Sequence, residues 1–125
     1  MSVTHSTAAR DAATNAVVDI LDGGSSKLCF RISSAGAIAA TLTMANFGAS
    51  SSGTATAGTI TTNTNCAGNA SPVSHATLQT SADTVAITCQ VAASASDINM
   101  TGGLTIGAGD TVSVANFLTY AALSA

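Results

Sequence analysis

The sequence predicts a mainly β domain: a β-sandwich or jelly roll of about seven or eight short antiparallel strands with one N-terminal α-helix. Three observations carry that expectation. Apolar and small polar residues alternate in run after run, as in Thr84-Val85-Ala86-Ile87-Thr88-Cys89-Gln90-Val91, and a period of two marks a strand with one buried face. Clusters of Gly, Ser, Asn and Asp separate these runs at roughly 8–12-residue spacing, the rhythm of all-β domains. The hydrophobic fraction is 46% and the formal net charge only −3, whereas disordered chains pair low hydrophobicity with high net charge.

The elements follow in order. At 125 residues the chain reads as one domain, with 1–6 a flexible N-terminus, 7–22 a helix and 27–120 the β-sandwich. Ser6 or Thr7 is the expected N-cap, and Ala-rich propensity follows it. Ala9, Ala13, Val17 and Ile20/Leu21 form the expected inward stripe, and Gly23-Gly24 the expected stop. Asp19 and Asp22 sit badly with the helix dipole and predict a fraying last turn.

Next, Lys27–Ile32 and Ala37–Met44 read as a hairpin across Ser33-Ser34-Ala35-Gly36. Leu28, Phe30 and Ile32 face inward on the first run; Ile38, Ala40, Leu42 and Met44 do so on the second. Phe47–Gly53 reads as a small-residue loop and Thr54–Thr62 as a Thr-rich strand. Residues 63–72, which hold the only proline, read as the longest loop. Val73–Thr80 and Thr84–Val91 are the next strands, with Val85, Ile87, Cys89 and Val91 inward in unbroken alternation. A short strand carries Ile98 and Met100, and Gly102-Gly103 and Gly107-Ala108-Gly109-Asp110 make β-turns. Thr111–Tyr120 closes the sheet, with a register shift at Asn116-Phe117. The core holds only four aromatics, Phe30, Phe47, Phe117 and Tyr120. Such a thin core predicts a monomer of modest stability that gains from its neighbours.

Composition argues against most chemistry. Only 7% of residues are charged: Arg10, Lys27 and Arg31 face six Asp, and there is no Glu. A basic stripe for nucleic acid is missing, and no apolar run reaches the ~18–20 residues of a membrane span. No nucleic-acid or membrane partner is therefore expected. Six scattered Asp make neither a glycosidase pair nor a calcium loop; Asp83, Asp97 and Asp110 read as turn formers. Cys29, Cys66 and Cys89 lack metal-ligand spacing and read as free thiols, as in a reducing cytoplasm. No metal, cofactor or catalytic residue is expected.

His5 falls in the N-terminal lead. His75 invites a triad with Ser74 or Ser71 and Asp83, but no nucleophile elbow surrounds it, and the reading preferred is a solvated strand histidine. Rows of Thr at 54, 56, 59, 61 and 62 keep no strict ice-binding repeat. A sugar site would lean on Tyr120, the only tyrosine. The Ser/Thr/Ala face itself reads as a packing surface, because small side chains lose little entropy on burial and few charges need desolvating.

The order of several segments carries a resemblance. These are VVDILDGGS at Val17–Ser25, KLCFR at Lys27–Arg31, ATLTMANFGASSSGTATA at Ala40–Ala57, ATLQTSADTVAITCQV at Ala76–Val91, SDINM at Ser96–Met100 and IGAGDTVSV at Ile106–Val114. In that order they resemble small virion structural proteins of tailed bacteriophages. The resemblance spans nearly the whole chain; the three cysteines and the 63–72 loop depart from it. It implies a non-enzymatic capsid decoration (cement) protein that binds the major capsid protein on the surface of the assembled head, commonly as a homotrimer, after synthesis in the host bacterial cytoplasm. A tail, neck or fibre component is the alternative within that class, and a carbohydrate-binding or adhesion module the alternative outside it. The helix is expected to be a lid on the sandwich rather than an oligomer contact.

Overall fold

The computed structural model describes residues 3–114 and 118–123. The protein is mainly β with one helix. Helix α1 spans Thr7–Leu21, and the strands are β1 (Ser26–Arg31), β2 (Ile38–Met44), β3 (Ala55–Thr56), β4 (His75–Gln79), β5 (Val85–Ala92), β6 (Ile98–Asn99) and β7 (Thr119–Tyr120). Five of them form one sheet in the order β2-β1-β4-β5-β6, and β3 pairs with β7. The expected all-antiparallel arrangement is corrected at one edge, where β6 runs parallel to β5. The contact is short, Val91 facing Ile98 and Ala92 facing Asn99, with Met100 N donating to Ala92 O.

The β1–β2 hairpin forms as expected, pairing Leu28 with Leu42 and Phe30 with Ala40. The Phe47–Gly53 stretch is not a loose loop. Beyond β2 the chain keeps an antiparallel track against the returning segment, through Ala45 N to Thr59 O, Gly58 N to Asn46 O and Gly48 N to Thr56 O. Ser51 and Thr54 exchange backbone hydrogen bonds at the tip, and Ser52 and Gly53 between them have φ of 54° and 83°. Two positive φ values in a two-residue connection define the type I′ turn, whose twist matches that of the flanking strands.

The predicted long loop at 63–72 is also structured. Ala55 pairs with Tyr120 and Thr56 with Thr119, Ala57 N donates to Leu118 O, and Asn63 bridges Val112. Gly109 N donates to Cys66 O and Asn69 N to Ile106 O. Every one of these pairs lies on a single unshifted antiparallel register. Residues 55–69 therefore run against 106–114 and 118–120 as an irregular ribbon, whose first arm also bonds to the β2 edge through Met44–Ile60 and Thr61 N to Thr43 O. Within it only short pieces are regular strand, so the predicted strands over Thr54–Thr62 and Thr111–Tyr120 shrink to β3, β7 and isolated bridges at Thr54, Ile60 and Val112. The register shift expected at Asn116-Phe117, and Phe117 as a core aromatic, lie outside the described residues.

The core joins residues of the sheet, the helix and the ribbon. Leu28, Phe30, Leu42, Met44, Ala76 and Leu78 bury the inner face of β1, β2 and β4, and Val18, Leu21, Phe47 and Ile106 close over it. β5 departs from expectation. Val85 is 45% exposed and only Val91 of its four apolar positions is fully buried. The cause is local: β5 pairs with β4 on one side only, apart from β6 at its last two residues, and the register slips at Leu78/Gln79. A bulge turns the side chain beside it away from the core layer.

Helix α1 corrects the sequence reading most. Ser6 caps it as expected, its Oγ accepting from Ala9 N at 3.1 Å. Its end is made by Asp22 (φ −81°), whose N–H donates to Val18 O; neither Gly23 nor Gly24 has positive φ. Nor is the last turn left loose, because Asp22 Oδ1 accepts from Phe47 N at 2.8 Å. The buried residues are Thr14, Val18 and Leu21. Of the stripe expected to face inward, only Leu21 does; Ala9 is exposed and Ile20 is 56% exposed. The inward side combines Val18 and Leu21, which join the core, with Thr14, Asn15 and Asp11, which hold the hairpin tip.

Candidate functional site: the open face of the sheet

Alternate residues of β1 point away from the core: Lys27, Cys29 and Arg31. Their neighbours across the strands are Thr41 and Thr43 on β2 and His75, Thr77 and Gln79 on β4. Thr41, Thr43, Thr88 and Gln90 are exposed on this face, whereas Cys29, Thr77 and Gln79 are buried within it.

Arg31 lies flat across the middle. Its Nε donates to Thr77 Oγ1 at 3.0 Å, Nη2 to Gln79 Oε1 at 3.0 Å, and Nη1 to Gly36 O in the β1–β2 turn at 2.9 Å. Thr77 passes its own proton to Gln79 Oε1 at 2.9 Å. Gln79 Nε2 then donates to Asp83 Oδ1 at 3.0 Å, the oxygen that Lys27 Nζ reaches at 2.8 Å. Thr77 and Gln79 are thereby buried although they sit on the outer face. The Lys27 ammonium and Gln79 amide beside Asp83 hold its carboxyl below the usual range, and Asp83 raises Lys27 in turn.

Charge does not balance here. Lys27–Asp83 is the one ion pair among the described residues, which leaves Arg31 bonded only to neutral acceptors. A guanidinium has five N–H donors, so two remain to be filled from outside. The arrangement can hold an anionic group against a rigid, neutral, small-residue surface. The signal for it was legible as charged and polar residues alternating on β1, and as the Thr77-x-Gln79 spacing on β4.

The triad residues are not brought together. Ser74 Oγ lies 2.8 Å from His75 Nδ1, but it also donates its proton to Ile32 O at 2.8 Å. While that bond stands, the ring N–H must donate to the hydroxyl, the reverse of base activation. Asp83 sits beyond the other end of β4, a strand length of about 13 Å away, engaged with Lys27. Ser71 is exposed in the ribbon, its N–H on Asn69 Oδ1.

Tyr120 is half-buried against the core on β7. Cys29, Cys66 and Cys89 are unpaired thiols, all raised in pKa by burial, Cys89 to about 11. Among the described residues no three metal-ligating side chains cluster, and no helix is long and apolar enough to cross a membrane. A groove of about 640 Å³ runs beside Phe30, Met100, Val114 and Leu118. Its two carboxylates are already spent on backbone, Asp97 on Gln90 N and Asp110 on Gly107 N.

Fold and site together define a mainly β protein whose outer sheet face exposes small polar residues around a single clamped arginine. Comparison with protein-family models, with curated proteins and with solved structures gives no match.

Proposed function

We propose that this protein is a non-enzymatic structural component of a bacteriophage particle, a capsid decoration or cement protein that docks on the major capsid protein of the assembled head and self-associates there. The observation that carries this reading is the open sheet face. It exposes Thr41, Thr43, Thr88 and Gln90 around one clamped arginine. Docking such a face costs little, since few charges must be desolvated and short side chains have little rotamer freedom to lose. The order of motifs that resembles tailed-phage virion proteins supports the same reading. So does a mainly β fold of one five-stranded and one two-stranded sheet, for which a sandwich or jelly roll is the finer architecture of the proposal.

A cement protein stabilises by mass action, because it binds the assembled shell and not the free subunits. Particles stripped of this protein are expected to lose heat resistance and regain it when the protein is added back. Mass spectrometry of purified virions is expected to count it in proportion to the major capsid protein. Stripped heads as robust as intact ones, or a count of only a few copies as in a tail or neck part, would overturn the cement role.

A further inference from the structure

Five of the six aspartates are engaged. Asp11 accepts from Ser50 and Gly53, Asp22 from Phe47, Asp83 from Lys27 and Gln79, Asp97 from Gln90 and Asp110 from Gly107. Asp19 makes no hydrogen bond or ion pair among the described residues, and it is exposed on the outer side of α1. That side carries Ala12, Ala16 and Ile20 and no other charge. The inward side holds Val18 and Leu21 in the core and, through Asp11, Thr14 and Asn15, the hairpin tip, which leaves this small-residue side outward. Among the described residues, two faces thus carry a charge without an ion pair. One is a sheet face with an arginine lacking an acid; the other is a helix face with an acid lacking a base. Both are otherwise neutral and built of small residues.

We propose that these faces cover each other between copies: α1 of one molecule lies across the open sheet face of the next, and its Asp19 closes on the two free N–H groups of Arg31. The inference rests on the self-associating part of the reading above and names its contact. A helix laid on a sheet is the ordinary way to cover a β layer. The sizes agree, since 15 helical residues span about 22 Å and the strands beneath are 5–8 residues long, about 17–26 Å. A carboxylate on a guanidinium makes the strong, charge-assisted bond, and Thr41, Thr43 and Thr88 are short enough to let the helix approach. Because the two patches differ, the contact is heterologous and builds a ring, or a filament where the rotation fails to close.

The test uses the full chain alone, in sedimentation equilibrium at low and high salt. Wild-type protein is expected to assemble, and more weakly as salt rises. Asp19→Lys is expected to weaken assembly about tenfold or more. The substitution removes an acid from the helix C-terminal end, where the dipole disfavours it, so the fold is not put at risk. Arg31→Gln is expected to do the same. Mixing the two variants is decisive: each retains the half-site the other lacks, so a one-to-one complex forms where neither variant associates alone. A monomeric wild type, an Asp19→Lys variant that assembles normally, or a mixture that stays monomeric overturns the proposal. The particle-binding test reads docking on heads, so a protein that cements heads as a monomer would overturn this contact and leave the functional reading standing.

Discussion

Thr14 is the residue on which helix and hairpin depend most. It is fully buried, its Oγ1 donates to Gly53 O at 2.9 Å, and the same oxygen accepts from Ala122 N at 3.1 Å. One hydroxyl therefore joins the helix, the type I′ turn and the C-terminal segment. Thr14→Val keeps the shape but strands a carbonyl and an N–H, each of which then lacks its partner. The expected cost is about 1–3 kcal/mol, read as a lower denaturation midpoint with an unchanged slope. The residues that make this grip were visible in the sequence as Asp11, Thr14 and Asn15 at helical spacing. Apolar periodicity alone does not single them out, because it ignores what the polar residues can bond. Burial is chosen by whichever face finds partners, and a turn with two positive φ values offers more unsatisfied backbone than the alanines offer area. The Arg31 cluster was legible in part: the period of two placed Lys27, Cys29 and Arg31 on one face, but pairing with Thr77 and Gln79 needed the neighbouring strand.

At the scale of elements, the regular strands were readable and the ribbon was not. β1, β2, β4 and β5 each carry a local period of two, and all four occur within a residue or two of expectation. The ribbon is defined by partners some forty to sixty-five positions away. Its sequence is Gly, Asn, Thr and Ala, whose local preference is for turns, so nothing local announces the pairing. Gly68 shows what holds it together. Its φ is +73°, and a Cβ there would collide with the backbone of Gly107 and Ala108, while its N–H donates to Ala39 O at 2.9 Å. The two arms of the ribbon can come this close only without a side chain. Gly68→Ala should thus cost about 2–4 kcal/mol, from left-handed strain plus displacement of well-packed backbone. Thermal melting checks the magnitude. Amide exchange should speed up first at Cys66, Asn69 and Gly109, whose bonds flank the site.

For the molecule as a whole, the few titratable groups set the pH range over which the fold is stable, and the two limits have different origins. On the acid side stand Asp11 and Asp83, both held below the ordinary 3.8, the first chiefly by the Ser50 hydroxyl and Gly53 N–H, the second chiefly by Lys27. A depressed carboxyl contributes stability that is present above its unfolded pKa and is lost as pH falls through the folded one. The loss therefore begins just below pH 4, and it falls on the helix–hairpin grip and the sheet face together. On the alkaline side stand Lys27 and the three thiols. Lys27 is raised above 10.5 by Asp83, and its contribution is lost only as pH climbs through that raised value. The thiols act earlier. Burial raises all three above the ordinary 9.0, Cys89 to about 11. Unfolded chains ionise there first, so stability declines from near pH 9 upward. Melting temperature is thus expected to be flat between about pH 5 and 8, and to fall on the alkaline side before Lys27 deprotonates. Cys89→Ala, at a half-buried site, should shallow the alkaline decline and leave the acid limb in place. Lys27→Met should shallow the acid limb instead, since Asp83 then loses the main cause of its lowered pKa. An alkaline limb that Cys89→Ala leaves unchanged would mean that the remaining groups, Lys27 first among them, set that limit.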